Sequence, residues 1–184
     1  EAMVEAIQRS RLPTVLVDAH DARFSRVVID DVAGAGLAVK HLLGLGHQRI
    51  AFLGDVPQVA FGYPASKLRH RGVRRALRAA GLDLPDAYTV IGDPGRSRAR
   101  ELTRALLPAD APDREGARDV EIDVPADLSI VGFDDLDIAG YLGLTTVRQP
   151  LFESGVAGVR LLLEQVADGP PARPVRTVLE VDVV

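Results

Sequence analysis

The sequence predicts an α/β protein, with a mainly parallel sheet covered by helices on both faces. Three observations carry this expectation. Short β-branched runs alternate with longer helical stretches along most of the chain. Helices open on residues such as Asp30-Asp31, Ser66 and Gln149-Pro150 and close on glycine or proline, where caps and breakers belong. No internal repeat or low-complexity tract interrupts the alternation, which is the pattern of strand–helix–strand units.

Pro13 to Asp18 (PTVLVD) reads as a buried strand and Arg26 to Ile29 as a second. Asp30 and Asp31 then stand at the N-cap and first turn of an apolar-periodic helix running to about Leu45, with Gly46 ending it. Arg49 to Leu53 is the next strand. A helix from about Ser66, which is the expected cap, ends at Gly81. Tyr88 to Ile91 is strand-like and Arg98 to Leu107 helical. Leu128 to Phe133 (LSIVGF) is the clearest buried strand. Thr145 to Val147 is a short β run, and Gln149-Pro150 opens a long helix that stops at Asp168-Gly169-Pro170. Val175 to Val184 closes the chain as one strand.

Composition narrows the function. The 184 residues are 47% hydrophobic but only 4% aromatic, so aliphatic side chains and alanine must build the core. The absence of cysteine excludes a disulfide framework, thiolate zinc sites and a cysteine nucleophile, and it fits a reducing cytoplasm. No run reaches the roughly eighteen apolar residues of a membrane span. The first residues have neither the charge nor the apolar stretch of a signal peptide. With a net charge of -4, the chain lacks the basic excess by which a free-standing module neutralises DNA phosphates.

In open α/β sheets, ligands bind at the carboxyl ends of the strands. Asp18, Asp55 and the pair Asp134-Asp135 fall there, although aspartate is also common in strand–helix turns. On the helix after Ser66, Arg71, Arg74, Arg75 and Arg78 share one side, most simply a solvated face. Arg69 instead lies on the apolar side with Val73, Ala76 and Ala80, in the first turn. A guanidinium there needs a carboxylate or a ligand to offset its desolvation. Arg69 opposite Asp134 or Asp18 would give a donor fork and acceptors for a small polar molecule, or a structural ion pair.

Two enzyme-like patterns fail on inspection. Gly34-Ala35-Gly36-Leu37-Ala38-Val39 resembles a dinucleotide fingerprint, but its third position is valine. Its glycines also fall inside a helix, and Asp30-Asp31 would repel a pyrophosphate. An NAD-dependent oxidoreductase is therefore a minor alternative, and a phospho-acceptor site is weaker still. Asp134-Asp135 as a phospho-acceptor site needs a later lysine, and Lys40 and Lys67 both come earlier. No nucleophile elbow, phosphate loop or metalloprotease motif occurs, and His20, His41, His47 and His70 lack metal-ligand spacing. No cofactor, no metal and no catalysis are expected.

Four segments, in order, resemble the lac/purine repressor family. Val28-Ile29-Asp30-Asp31 through His41-Leu42-Leu43-Gly44-Leu45-Gly46-His47-Gln48-Arg49-Ile50-Ala51-Phe52-Leu53-Gly54 is similar to its "HLL.LGH.RIA.L.G" stretch. Ser66, Arg69 and Gly72 match its "S…R..G" spacing. Val124 to Asp135 resembles "VPEDLSVVGFDD", and Thr145-Thr146-Val147-Arg148-Gln149-Pro150 resembles "TT..QP".

The resemblance implies a periplasmic-binding-protein-like type I fold of two lobes, joined by three crossovers, with a small effector in the cleft. A sugar is the first expectation for that effector. Arg69 and Asp134 would correspond to effector-contacting residues and Asp18 to a further cleft position, with Ser66 and Phe133 beside them. The expected organisation is residues 1–30 as the end of the first lobe, 31–144 as the effector-binding lobe, and 145–184 as a crossover, helix and return strand. Most of the first lobe and the helix-turn-helix headpiece fall outside this chain.

One strand–helix step also has no counterpart, with an expected seam near Asp113-Arg114. The implied whole is a cytoplasmic homodimeric repressor that binds operator DNA through its headpiece and has no membrane role. A secreted sugar-binding receptor is the competing reading.

Overall fold

The structure, a computed structural model, describes residues 2–56, 64–93, 100–103, 106 and 123–184. The expected seam at Asp113-Arg114 lies outside the described residues, as do parts of the helix expected over residues 98–107.

The N-terminal helix α1 (Ala2–Ser10) is not anticipated by the strand–helix alternation; it buries Val4. Strands β1 (Val15–Val17) and β2 (Ser25–Ile29) follow and pair in parallel. Adjacent Val27 and Val28 are 0% and 1% exposed, so β2 is covered on both faces, as an interior parallel strand requires.

Helix α2 (Asp31–Gly44) opens as expected. The Asp30 carboxylate caps it by accepting from the Ala33 N–H, and Gly46 leaves it at φ +90°. The glycines of the fingerprint-like stretch lie inside α2, away from any phosphate-cradling turn.

Strand β3 (Phe52–Asp55) starts later than the expected run at Arg49, and pairs in parallel with β4 (Thr89–Gly92). Between them runs α3 (Ala65–Ala79). Its N-cap is Pro64 and no side chain caps it, so Ser66 lies within the first turn and not at the cap; Arg69 starts the second. Arg71, Arg75 and Arg78 are solvated as expected. Arg74 is half-buried, with an Nε enclosed and without a hydrogen-bond partner among the described residues.

Helices α2 and α3 form the most extensive contact between elements, around Ala35, Val39, Ile50, Val73, Leu77 and Leu84. Gly72 makes this crossing possible: a Cβ there would stand 2.4 Å from the Val32 carbonyl oxygen. Main chain cannot yield as a flexible side chain would. Gly72→Ala is therefore expected to cost about 2 kcal/mol, an overpacking penalty, read from the urea midpoint. An unchanged midpoint would mean that the two helices part without cost.

Of the expected strand over Leu128 to Phe133, only β5 (Gly132–Phe133) pairs; residues 128–131 lie in irregular backbone. Helix α4 (Asp137–Leu142) ends at Gly143, and β6 (Thr146–Arg148) pairs in parallel with β5. The long helix α5 (Leu151–Asp168) covers β1 and β2 with its small and polar residues Ser154, Gly158 and Gln165. Phe152, Val156, Val159, Leu163 and Val166 stay exposed on its other side.

The expected single closing strand is two. β7 (Arg176–Leu179) adds to β2 in parallel, and β8 (Asp182–Val183) adds to β6 in antiparallel fashion. The chain thus leaves one sheet and joins another within ten residues, as a crossover does. Among the described residues the strands form three sheets, β1-β2-β7, β4-β3 and β5-β6-β8.

Candidate functional site

The carboxyl ends of β2 and β5, the first turn of α2 and the start of α3 meet at Arg69. Its Nε donates to Asp31 Oδ1 at 2.8 Å, and its Nη2 stands 3.5 Å from Asp134 Oδ1. The guanidinium carbon sits 3.6 Å from the centre of the Phe133 ring, a cation–π distance. The same ring fits under Gly34, where a Cβ would stand 3.0 Å from its edge. A glycine in α2 therefore sets the ring that Arg69 covers.

Asp31 is the member that the sequence reading missed. Its side chain is 1% exposed, and burial raises its pKa above 3.8 against the opposing hydrogen bond and charge of Arg69. The signal was present: two successive acids follow a buried strand, and only one can cap the helix. Asp30 does so, which leaves Asp31 facing inward.

Asp134 is the exposed counterpart, with its side chain 42% accessible. It holds φ +91° and Asp135 φ +50°, both in the left-handed region that side chains disfavour. The turn is held by the Asp134 N–H on the Val147 carbonyl and the Asp135 N–H on Thr146 Oγ1. Buried Gln149, expected only as part of the helix start, donates its Nε2 to Asp134 Oδ1. Arg148 Nε bonds Asp135 Oδ2 at 2.7 Å, so the second acid of the pair is turned away to a separate ion pair.

The other expected site residues divide. Ser66 lines the same hollow as Arg69, Phe133 and Asp134, but its Oγ is enclosed beside Gly54 with no hydrogen-bond partner among the described residues. Asp18 does not line that hollow. It sits at the end of β1 with φ +55°, its N–H on the Val27 carbonyl, and its charge acts on Asp31 and His20.

His20 belongs to this acidic side and was passed over for lack of metal spacing. Its Nε2 is buried without a hydrogen-bond partner among the described residues, and burial lowers its pKa below 6.5 despite Asp31 and Asp18; Arg176 and Arg26 lower it further. The folded protein therefore resists protonating His20 while the unfolded chain accepts the proton. Stability supplied by neutral His20 is present above pH 6.5 and is lost as pH falls below it. The urea midpoint should drop between neutral pH and pH 5.5, and His20→Gln should flatten that drop. An equal drop in the variant would place the titration elsewhere.

Among the described residues no group of three or more His, Cys, Asp or Glu is placed to hold a metal, and no helix is long and apolar enough to cross a membrane. What the arrangement offers is a fork of donors, exposed carboxylate oxygens and an aromatic face at strand ends. That combination suits hydrogen-bonded recognition of a small polar molecule.

The profile of the periplasmic binding protein-like domain matches residues 39–184. The ribose operon repressor of Escherichia coli K12 is 31% identical, the match taking in 88% of this chain and 54% of the repressor. The chain thus spans about half the length of the curated relatives it matches. That alignment runs over 182 positions, whereas 88% of 184 residues is about 162; about 20 positions of the repressor face no residue here.

Among solved structures, the transcriptional regulator CelR–cellobiose complex superposes with a TM-score of 0.76 at 28% identity, over 92% of this chain and 57% of its own. A LacI family transcriptional regulator from Enterococcus faecium with bound ribose gives 0.75 at 26%, over 100% and 72%. With its parallel sheets, crossing strands and motif order, the chain belongs to the lac/purine repressor family of transcriptional regulators, within the periplasmic binding protein-like fold.

Proposed function

We propose that this chain is the effector-sensing part of a transcriptional repressor, and that it binds an uncharged sugar between Arg69, Asp134 and the Phe133 ring. The observation that carries the reading is the guanidinium laid over that ring and held between Asp31 and Asp134. Sugar hydroxyls take donors from such a fork and give protons to the exposed Asp134 carboxylate. The ribose and cellobiose in the two superposed regulators support the same ligand class. Two aspartates, Asp31 and Asp134, against one arginine disfavour a phosphorylated effector.

The two-lobe organisation divided near residues 30 and 145 gives the mechanism. Effector binding biases the closure of one lobe on the other, and it does so only through a difference in affinity for the two states. In the whole protein, a cytoplasmic homodimer would pass that bias to a helix-turn-helix headpiece on operator DNA. The apolar residues left exposed on α4 and α5, such as Tyr141 and Phe152, support association. The role is non-catalytic and needs no cofactor.

Calorimetric titration with ribose, cellobiose and ribose 5-phosphate tests the reading. Saturable binding of a neutral sugar is expected, and at a hundredfold excess over Kd it should stabilise the fold by about 2.7 kcal/mol. Exclusive binding of the phosphorylated sugar would sink the assignment.

A further inference from the structure

The sugar reading leaves Asp135, the second acid of the Asp134-Asp135 pair, without a task. Asp135 holds φ +50° beside Asp134 at φ +91°, so two successive side chains stand in the left-handed region. Glycine takes that conformation freely, whereas a side chain persists there only where its surroundings over-determine it. Here those surroundings are one short stretch of chain. Thr146 Oγ1 accepts the Asp135 N–H at 3.2 Å, and the Val147 carbonyl accepts the Asp134 N–H at 2.8 Å. Arg148 Nε then donates to Asp135 Oδ2 at 2.7 Å, and Gln149 Nε2 donates to Asp134 Oδ1. Residues 146–149 thus grip the turn one after another. Thr146 and Val147 in β6 are 2% and 0% exposed and form the fixed part of the grip. Arg148 and Asp135 form its solvent-facing part, with side chains 57% and 25% accessible.

We propose that Asp135 and Arg148 are positioning residues of the effector site: their ion pair latches the strained turn that aims Asp134 at Arg69. The turn divides two jobs between neighbouring acids. The Asp134 carboxylate stands 3.5 Å from Arg69 Nη2, while the Asp135 carboxylate is bonded to Arg148. A turn released at Asp135 relaxes toward the ordinary backbone regions and carries Asp134 off the guanidinium. The latch also has an outlet. Pro150 follows Gln149 and is the N-cap of α5, the helix packed on β1 and β2. Occupancy at Asp134 therefore bears on the segment that enters this helix. Whatever factor the latch adds to effector affinity, the effector adds to closure of the latch. The inference rests on the sugar reading only for the identity of the ligand.

Amide hydrogen exchange reads the latch without any ligand. In Arg148→Gln the Asp134 and Asp135 amides should exchange about fivefold faster, as much as a solvent-facing pair sustains. The Leu144 amide, bonded to the Ala139 carbonyl at 2.9 Å, should keep its rate. Unchanged rates at the two aspartates, or an equal rise at Leu144, overturn the proposal.

Titration calorimetry with ribose and cellobiose reads the consequence. Arg148→Gln and Asp135→Asn should each weaken binding about fivefold, and the double variant no further, because either change opens the same pair. Losses that multiply in the double variant would make the two residues independent and overturn the latch. The advantage of the unaltered chain over Arg148→Gln should shrink at about 1 M salt, where the screening length is about 3 Å. An advantage untouched by salt overturns the ion pair as its source. If the exchange rates respond but the unaltered chain takes neither sugar, the latch stands and the sugar reading falls.

Discussion

Arg69→Ala is expected to lower folding stability by about 3 kcal/mol at neutral pH, as well as to remove sugar binding. The stability loss comes from Asp31. With a side chain 1% exposed and a carboxylate bonded to Arg69 Nε at 2.8 Å, its burial disfavours the charged form and the guanidinium opposes that cost. Removing Arg69 strands that charge, which costs more than the ion pair itself contributes.

The sign of the pH dependence separates this cause from simple loss of packing. Burial already holds the Asp31 pKa above 3.8, and losing Arg69 raises it further. A raised carboxyl keeps its proton in the folded state where the unfolded chain has released it. The penalty of the variant should then be largest at neutral pH and shrink as pH falls through the raised pKa. Asp31→Asn in the same chain should recover most of the lost stability at neutral pH. Urea denaturation of the single and double variants at two pH values decides it. A deficit that is constant with pH and untouched by the second change would locate the loss in the packing of the Arg69 guanidinium over Phe133.

This site also marks how far the sequence could be read. Alternating runs placed most helices and strands, because β-branched residues and caps act locally: Asp30 closes α2 onto Ala33 as its position promised. Helical periodicity singled out Arg69, and the strand-end rule singled out Asp134. Their partners were illegible for a different reason. Asp31 meets Arg69 across 38 positions and Gln149 meets Asp134 across 15, and no local period encodes which inward-facing groups will share a site. The closing run Val175 to Val184 likewise reads as one strand, since local preference cannot say that Leu179 and Asp182 pair with different sheets. The run Leu128 to Val131 has strand composition but no described neighbour to pair with, and composition makes a strand only where an edge is offered.

Asp134→Gly should lower sugar affinity about 100-fold while leaving folding stability within about 1 kcal/mol of the parent. The affinity loss follows from the loss of hydrogen bonds to a charged acceptor, each worth about 1.5–3 kcal/mol. The near-neutral stability is the sharper half of the expectation. Asp134 holds φ +91° under a side chain, a conformation glycine adopts without penalty, so the substitution relieves strain. It also takes the acceptor from Gln149 Nε2, and the two effects oppose each other. The side chain is 42% accessible, so water can replace it at that amide.

Asp134→Ala keeps the strain and loses the acceptor, and should fall below the glycine variant by about 1 kcal/mol. Titration calorimetry and urea midpoints on the pair give both numbers. If alanine and glycine are equally stable, the left-handed turn carries no strain. If affinity survives in both, the sugar does not meet this carboxylate. The expected pattern, strain kept where it holds a carboxylate open to the ligand, would mark Asp134 as a residue retained for binding at a cost to the fold.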